Sequence, residues 1–544
     1  MAGKDPAVAP AVSTGRRLQV LAGAIIVQLI LGTVYGYSIF WEPLSANIFP
    51  PVYLEAQLGQ GAGDASMMAE AIIVADEAAY KVEIAKQQGI LKYAFSICIL
   101  SFAAVMVIAG RVQDVKGPRL PAIIGGLLMG CGFIYAGLMT NAIVFYLAHA
   151  LFAGVVTLLL LMIFHTFLGH LDNESVIVKN GRLGIMATCI VASIMLGNQY
   201  VGKVAEMDRL LLLWGTIGFM AGAGIGFAYV CPIAALVKWF PDHKGLVSGV
   251  AVAGFGLGAY LFSQKWGALG YISREGIFPF FIAHGIICII AVSAGAMLLS
   301  NPPVTEAKAS QATTKVDSPW EETLKNPAFY LIWLMFFSGA MAGLMVIGII
   351  KVFAGEQLVA AASAAGQTLT AAQVKAIMLE GAAAVGVLAI FNAVGRVVWG
   401  FISDRIGRTA TLVIMFLLQA GVMFVLAGLA TPFSLSVGAA LVGFNFGGNF
   451  ALFPSVTADI FGSRNLGVNY GWVFTSYGIA GVVGIAAGNF AKVITGSYGL
   501  AFTLAAVLCL LSAILAIVLQ VLQQRQSVEQ TETEVMAIAG QEEA

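Results

Sequence analysis

Apolar runs of roughly 20 residues, each closed by a short polar break, repeat along almost the whole chain, and that is the length a helix needs to cross a bilayer. On this criterion about fourteen candidate spans can be marked: Leu18 to Phe40, Tyr93 to Gly110, Leu120 to Leu138, Ile143 to Leu168, Leu183 to Val201, Leu210 to Val237, Leu246 to Phe262, Gly276 to Leu299, Pro327 to Val352, Gly381 to Ile402, Thr411 to Leu429, Pro432 to Phe453, Leu466 to Phe490 and Leu500 to Val521. The fifth is the weakest, because Asn198 and Gln199 blunt its end. The first is too long for a cleaved signal and carries no cleavage site, so it is read as a retained span.

The polar breaks carry the second signal. Gly110-Arg111-Val112-Gln113-Asp114-Val115-Lys116-Gly117-Pro118-Arg119 and Gly400-Phe401-Ile402-Ser403-Asp404-Arg405-Ile406-Gly407-Arg408 both read G-x-x-x-D-x-x-G followed by Arg. In each, a hydrophobic helix ends, Asp sits just past its edge, Gly makes a tight turn and basic residues open the next helix. Such a device occurring twice in one membrane chain points to an internal repeat of two helix bundles, the construction of secondary transporters.

The two loops resemble the signature of the major facilitator superfamily between helices 2 and 3 and again between helices 8 and 9, and the resemblance runs along nearly the whole chain. It implies an all-α integral membrane fold with two six-helix bundles, which leaves two spans surplus. The basic loop Lys238-Trp239-Phe240-Pro241-Asp242-His243-Lys244-Gly245 suits the end of the fourth core helix, so residues 143–201 are read as an extra helical hairpin inserted in the first bundle. An even insertion keeps later helices in their original orientation. The Arg and Lys residues of the loops then fall on one side, which the positive-inside rule makes cytoplasmic.

The expected organisation is a cytoplasmic tail over 1–17, an N-terminal bundle over 18–300 with an external insertion at 41–92, a linker over 301–326, a C-terminal bundle over 327–522, and an acidic, disordered cytoplasmic tail over 523–544. The insertion carries seven acids (Glu42, Glu55, Asp64, Glu70, Asp76, Glu77 and Glu83), and Phe353 to Glu380 takes the equivalent place in the second half. Either the two form a small external cap, or they are tolerated surface insertions.

Composition agrees: 59% of residues are hydrophobic and only 10% charged, which excludes a soluble core, and a net charge of +0 gives no reason to expect nucleic acid. The six cysteines lie in apolar runs without metal-ligand spacing and read as small hydrophobes. No cofactor is expected, and a lipid bilayer is the expected surrounding, most simply a bacterial inner membrane, with the monomer as the functional unit.

Three strings narrow the resemblance. Gly32-Thr33-Val34-Tyr35-Gly36-Tyr37-Ser38-Ile39-Phe40, Lys238-Trp239-Phe240-Pro241-Asp242 and Asn469-Tyr470-Gly471-Trp472-Val473-Phe474-Thr475 resemble the oxalate/formate antiporter family, which is related to the monocarboxylate transporters.

The chemistry centres on Arg396. It is the only charged residue from Gly381 to Ser403 and stands eight positions before Asp404, about 12 Å along a helix at 1.5 Å per residue. A charge at that depth costs roughly 2.5–3.5 kcal/mol on insertion scales and therefore faces a cavity or a partner. No core helix offers a clear buried carboxylate, so the missing counter-ion is read as a carboxylate substrate, for which the planar guanidinium is suited. The competing reading has Arg396 reaching carbonyls or water near the cytoplasmic end. The resemblance favours the first, because family carriers place a substrate-binding Arg in the eighth core helix.

Tyr35, Tyr37, Tyr229, Asn392 and Tyr477 are the candidate hydroxyl and amide donors around a small acid; for each tyrosine, packing or interface anchoring is the alternative. The resemblance assigns Asp114, Arg119, Asp404 and Arg408 to cytoplasmic gating, whereas as loop residues they are equally solvated turn positions. Gly222-Ala223-Gly224-Ile225-Gly226 and Gly254-Phe255-Gly256-Leu257-Gly258 lie in spans without a preceding strand and read as helix packing, not nucleotide binding. His149, His165 and His284 are candidate proton carriers, the first two on the extra hairpin and better suited to packing.

The resulting expectation is a secondary transporter of small organic anions, foremost a monocarboxylate of the lactate or pyruvate type, with protons as a possible co-substrate. The alternatives are an oxalate/formate exchanger and a membrane sensor on the same fold. Family antiporters add a Lys in the eleventh helix, but Leu466 to Phe490 has none and Tyr477 aligns there. The monocarboxylate transporters carry an acid one turn before their Arg, where this chain has Asn392. One fixed cation matches one carboxylate, so a monoanion is expected over oxalate.

Overall fold

The computed structural model describes residues 14–55, 71–138, 176–200, 206–303 and 317–542, apart from single gaps at 265 and 382, with isolated helical positions between 153 and 164. Among them twelve helices are long and apolar enough to cross a membrane, six before residue 300 and six after 326. The chain runs α1 (Thr14–Leu31) into a 3-10 stretch (Gly32–Phe40), then α2 (Trp41–Ile48), β1 (Val52–Leu54), β2 (Ile72–Val74), α3 (Glu77–Lys116), α4 (Arg119–Gly137), α5 (Val176–Tyr200) and α6 (Glu206–Leu213). A π-helical turn (Trp214–Met220) leads into α7 (Ala221–Trp239), followed by α8 (Lys244–Ser263), α9 (Ala268–Glu275) and α10 (Ile277–Leu298). The second half contains α11 (Trp320–Thr323), α12 (Pro327–Ala364), α13 (Ala371–Glu380), α14 (Ala383–Ile406), α15 (Arg408–Leu426), α16 (Pro432–Phe461), α17 (Leu466–Thr495) and α18 (Gly499–Glu542).

The surplus pair falls mostly outside this description. Of residues 143–201, the second member is the helix α5, whose Leu183, Met186, Ile190 and Val191 are exposed; most of the first member, with His149 and His165, lies outside the described residues. Large apolar side chains elsewhere also face outward, among them Ile287 at 51%, Ile290 at 64% and Val425 at 57% exposure. Such a surface suits hydrocarbon as the solvent, in which helices satisfy most of their backbone groups internally.

Several helices outrun their apolar cores, because hydropathy marks only the membrane-buried part. Helix α3 begins at Glu77 instead of Tyr93, where the Asp76 side chain accepts the Ala79 N–H at 2.7 Å as an N-cap. Asn326 caps α12 in the same way, through the Ala328 N–H at 2.9 Å. The external insertion holds α2 and a two-stranded parallel ribbon pairing Val52 with Ile72 and Leu54 with Val74, a small departure from an all-α chain. The tail expected to be disordered after 523 continues α18 to Glu542; its Glu, Gln and Ala content favours a helix, and neither Gly nor Pro interrupts it before Gly540.

The repeated loop has a common geometric cause. Gly117 and Gly407, the last glycines of the two motifs, have φ of 84° and 90°, a region side-chain-bearing residues rarely adopt. Each donates its N–H back into the helix it ends, Gly117 to Gln113 O at 2.9 Å and Gly407 to Ser403 O at 3.1 Å.

The chain divides into two compact units. The first comprises Ala22–Pro232 and Gly258–Ser300, and the second Ile233–Leu257 and Asn301–Ala544 with the N-terminal stretch Met1–Leu21. In the first, α4 packs along α10 and α3 along the π-helical turn; in the second, α14 packs along α16, α12 along α17 and α15 along α18. The glycine strings serve this packing: a Cβ on Gly224 would meet the backbone of Met129 and Gly125, and one on Gly226 would meet Phe102 O at 2.6 Å.

Candidate functional site

In the second unit Arg396 is fully buried in the middle of α14. Its Nε donates to Asn392 Oδ1 at 3.1 Å, one turn earlier, and its Nη1 donates to the Val252 carbonyl of α8 at 2.8 Å. Nη2 is buried with no hydrogen-bond partner. The guanidinium carbon stands 4.3 Å from the ring centre of Phe450 on α16 and 5.6 Å from that of Phe255 on α8. One edge of the guanidinium thus reaches a carbonyl, and another nitrogen remains unpaired.

Close backbone approach creates this pocket of contacts. A Cβ on Gly249 would strike the Arg396 carbonyl, and one on Gly447 would strike the Asn392 carbonyl. Thus α8 and α16 both reach α14 at the level of the arginine, which places Val252, Phe255 and Phe450 around its side chain. Phe450 in turn meets Tyr477 edge-on, with ring centroids 5.4 Å apart, and Tyr477 packs on Phe474 at 4.8 Å. Tyr477 is thus one ring removed from the guanidinium.

The electrostatics single out Arg396. Among the described residues the buried charged side chains are Lys244 and Arg396, and Lys244 is paired with Asp459 at 2.7 Å. No carboxylate among the described residues pairs with Arg396, so its charge is compensated by one amide oxygen, one carbonyl and two ring faces. Asn445 and Asn449, one turn apart on α16, are also buried, and Asn445 leaves both amide atoms unpartnered. Sequence reasoning missed these two, Phe255 and Phe450. Asn at a four-residue spacing inside an apolar helix was the available signal for the pair; phenylalanines in such a helix give none.

The other candidate donors lie in the first unit. Tyr229 is buried, meets Phe102 edge-on at 5.0 Å and accepts the Gln28 side-chain N–H on its carbonyl at 2.9 Å. Tyr37 is buried among Phe40, Trp41 and Phe95, with its hydroxyl unpartnered. Tyr35 is half-buried on the same 3-10 stretch. The structure thus joins Arg396 to Asn392, sets Tyr477 behind Phe450, and holds Tyr35, Tyr37 and Tyr229 in the other unit.

At the loop end of α14 the second motif forms a closed network. Asp404 accepts the Gly245 N–H at 2.9 Å on Oδ1 and the Leu246 N–H at 2.8 Å on Oδ2, capping the first turn of α8. Arg408 donates to Asp404 and to Ser403 Oγ, both at 2.7 Å, and through Nε to Asp459 at 2.7 Å, which also takes Lys244. Asp459 links Arg408 to Lys244 and was not among the residues picked from sequence. In the first motif, Asp114 is half-buried, while Arg119 is exposed and donates through Nε to the Leu299 carbonyl at 2.7 Å.

Twelve apolar helices among the described residues, six in each half, with a buried guanidinium that no described carboxylate pairs with, define a multi-pass membrane protein of the transporter class. The chain belongs to the Major Facilitator Superfamily, whose model matches residues 179–379 and 358–539. It is 31% identical over 305 residues to the uncharacterized MFS-type transporter YhjX of Escherichia coli (strain K12), covering 55% of this chain and 70% of that one. It is also 31% identical over 310 residues to the oxalate:formate antiporter of Oxalobacter formigenes, covering 57% and 68%. Apicoplast pyruvate carrier 1 of Toxoplasma gondii is 27% identical over 348 residues, covering 52% and 61%. The solved proton:xylose symporter XylE shares the fold, with a TM-score of 0.53 at 12% identity over 92% of this chain and 95% of that one. Transport, not enzymatic catalysis, is what these relatives have in common.

Proposed function

We propose that this protein moves small monocarboxylates of the lactate or pyruvate type across a cell membrane by alternating access, and that Arg396 holds the carboxylate. The observation that carries the reading is the buried guanidinium with an unpaired Nη2 and no carboxylate partner among the described residues. Asn392 and the Val252 carbonyl orient it, Phe450 and Phe255 flank it, and the substrate supplies the missing negative charge. Tyr477 completes the aromatic wall from the second bundle. Tyr35, Tyr37 and Tyr229 are further candidate donors to the substrate. A single unpaired buried cation suits one carboxylate, because the second charge of a dianion is costly to bury without its own partner. The likeness to a pyruvate carrier supports the same class.

Asp404 and Arg408, with Asp459 and Lys244, act as the cytoplasmic gate; Asp114 and Arg119 are the corresponding pair of the first repeat. Their bonds hold one end of the path shut and break when it opens. The likeness to an oxalate:formate antiporter favours an oxalate/formate exchanger as the second reading. Counterflow of labelled lactate, pyruvate, formate, acetate and oxalate in proteoliposomes separates the two. Monocarboxylates should exchange fastest and oxalate compete poorly; oxalate as the best substrate would defeat the monoanion assignment.

A further inference from the structure

His284 is a buried titratable side chain in the first unit that the proposed site leaves unused. It lies on α10 at 2% exposure, enclosed by Phe133 and Phe262, each with its ring centre 4.7 Å away, and stacked on Phe280 at 5.6 Å and 5°. Its Nε2 meets Thr33 Oγ1 at 3.3 Å and Cys288 Sγ at 3.4 Å. The Thr33 hydroxyl has one hydrogen, and it is donated to the Ile30 carbonyl at 2.7 Å. Thr33 must therefore accept from His284, which fixes the imidazole as the tautomer with its proton on Nε2. Cys288 then serves as a weak second acceptor. No carboxylate among the described residues pairs with the ring, and three phenyl groups enclose it.

The bond falls at a specific place. Helix α1 is α-helical to Leu31 and tightens to 3-10 over Gly32–Phe40. With three residues per turn, Thr33 and Gly36 eclipse on one side of the 3-10 stretch and Tyr35 lies on another. Gly36 rests against Phe262, where a Cβ would stand 2.8 Å from the phenylalanine Cβ. Phe40 continues the contact onto Phe280 at 5.7 Å and Phe281 at 5.2 Å. A wall of Phe262, Phe280, Phe281 and His284 thus supports the tightened segment, and His284 supplies its polar pin at the first turn.

We propose that His284 is a positioning residue: its Nε2–H pins the Thr33 turn where the first helix changes from α to 3-10 geometry, and so sets Tyr35 and Tyr37 for the substrate. This rests on the reading of those tyrosines as substrate contacts. It also assigns His284 no proton to carry.

The test compares His284→Gln, whose Nε2 reaches the position of the imidazole donor, with His284→Leu, which lacks one, and with Thr33→Val, which removes the acceptor at equal shape. Lactate uptake by reconstituted protein is measured against concentration and pH, and amide hydrogen exchange of residues 32–40 is followed in the same preparations. The Gln variant should keep the parental pH profile and a KM within about threefold. The Leu and Val variants should raise KM by roughly tenfold, a factor of the size of one net hydrogen bond, and exchange faster over 32–40. Loss of proton-driven accumulation in the Gln variant, with exchange over 32–40 unchanged, would make His284 a proton carrier and overturn the proposal. So would a parental KM in both Leu and Val variants. Should His284→Leu not fold, Thr33→Val decides alone. If the parent moves no monocarboxylate, the substrate reading falls, and the hydrogen-exchange comparison still decides whether His284 pins the turn.

Discussion

Replacing Asp404 with Asn tests the proposed gate at its best-defined contact. The carboxylate holds the Gly245 and Leu246 N–H groups at 2.9 and 2.8 Å and the Arg408 guanidinium at 2.7 Å. An amide of the same shape keeps one acceptor and turns an NH2 toward the second backbone donor, so one cap bond is lost and the charge behind the others is removed. An N-cap contributes about 0.5–2 kcal/mol, and a hydrogen bond to a charged group about 1.5–3 kcal/mol. The Asp404 side chain is 7% exposed, so screening reduces this little, but Arg408 is 19% exposed and keeps its bond to Asp459, which retains part of the network. A net loss of about 2 kcal/mol corresponds to a roughly 30-fold shift away from the closed arrangement. Ser248 is fully buried on α8, one turn past the capped residues, and a cysteine placed there in a background without the natural thiols reports opening. In inside-out vesicles Asp404→Asn should raise its maleimide labelling rate by at least about tenfold, allowing for relaxation, with little change in substrate affinity. An unchanged labelling rate, or a collapse of affinity without faster labelling, would refute the reasoning.

Two further outcomes are expected. Phe450→Leu removes the ring 4.3 Å from the guanidinium, a contact of about 0.5–2 kcal/mol, so KM should rise between about twofold and thirtyfold while Phe450→Tyr stays near the parent; an unaltered KM in the Leu variant would take Phe450 out of the site. Cysteines at Asn180 and Asp242 should label from the same, cytoplasmic, face, because an inserted pair preserves the orientation of every later helix; labelling from opposite faces would break the fourteen-span arrangement.

The membrane helices were readable because burial in hydrocarbon demands long uninterrupted apolar runs, and the six-plus-six set matches the core spans picked from hydropathy. The extensions of α3, α12 and α18 beyond those runs were not, since outside the bilayer an Ala- or Glu-rich segment carries no apolar mark distinguishing helix from loop. Arg396 was visible as a lone charge, and Asn392 as its neighbour one turn away. Phe255, Phe450 and the Val252 carbonyl were hidden, because only the glycine-permitted approach of α8 and α16 to α14 brings them to the guanidinium. Asp459 escaped notice for a related reason: it stands outside the repeated motif at the end of an apolar helix, and its partners Lys244 and Arg408 come from distant sequence. The Asn469-Tyr470-Gly471-Trp472 string acquires a structural use as well, since Asn469 donates to the Ser318 carbonyl at 3.0 Å and Trp472 stacks on Trp320 at 6.0 Å.

The most direct measurement is lactate and pyruvate uptake by proteoliposomes containing Arg396→Lys and Arg396→Ala, each shown to insert and to elute as the parent does. Lysine keeps the charge but forfeits the paired bonds to Asn392 and Val252 and the planar face between the two phenyl rings. Both variants should lose most of the uptake while remaining folded. Near-parental uptake by Arg396→Ala would contradict the assignment of the carboxylate to this arginine.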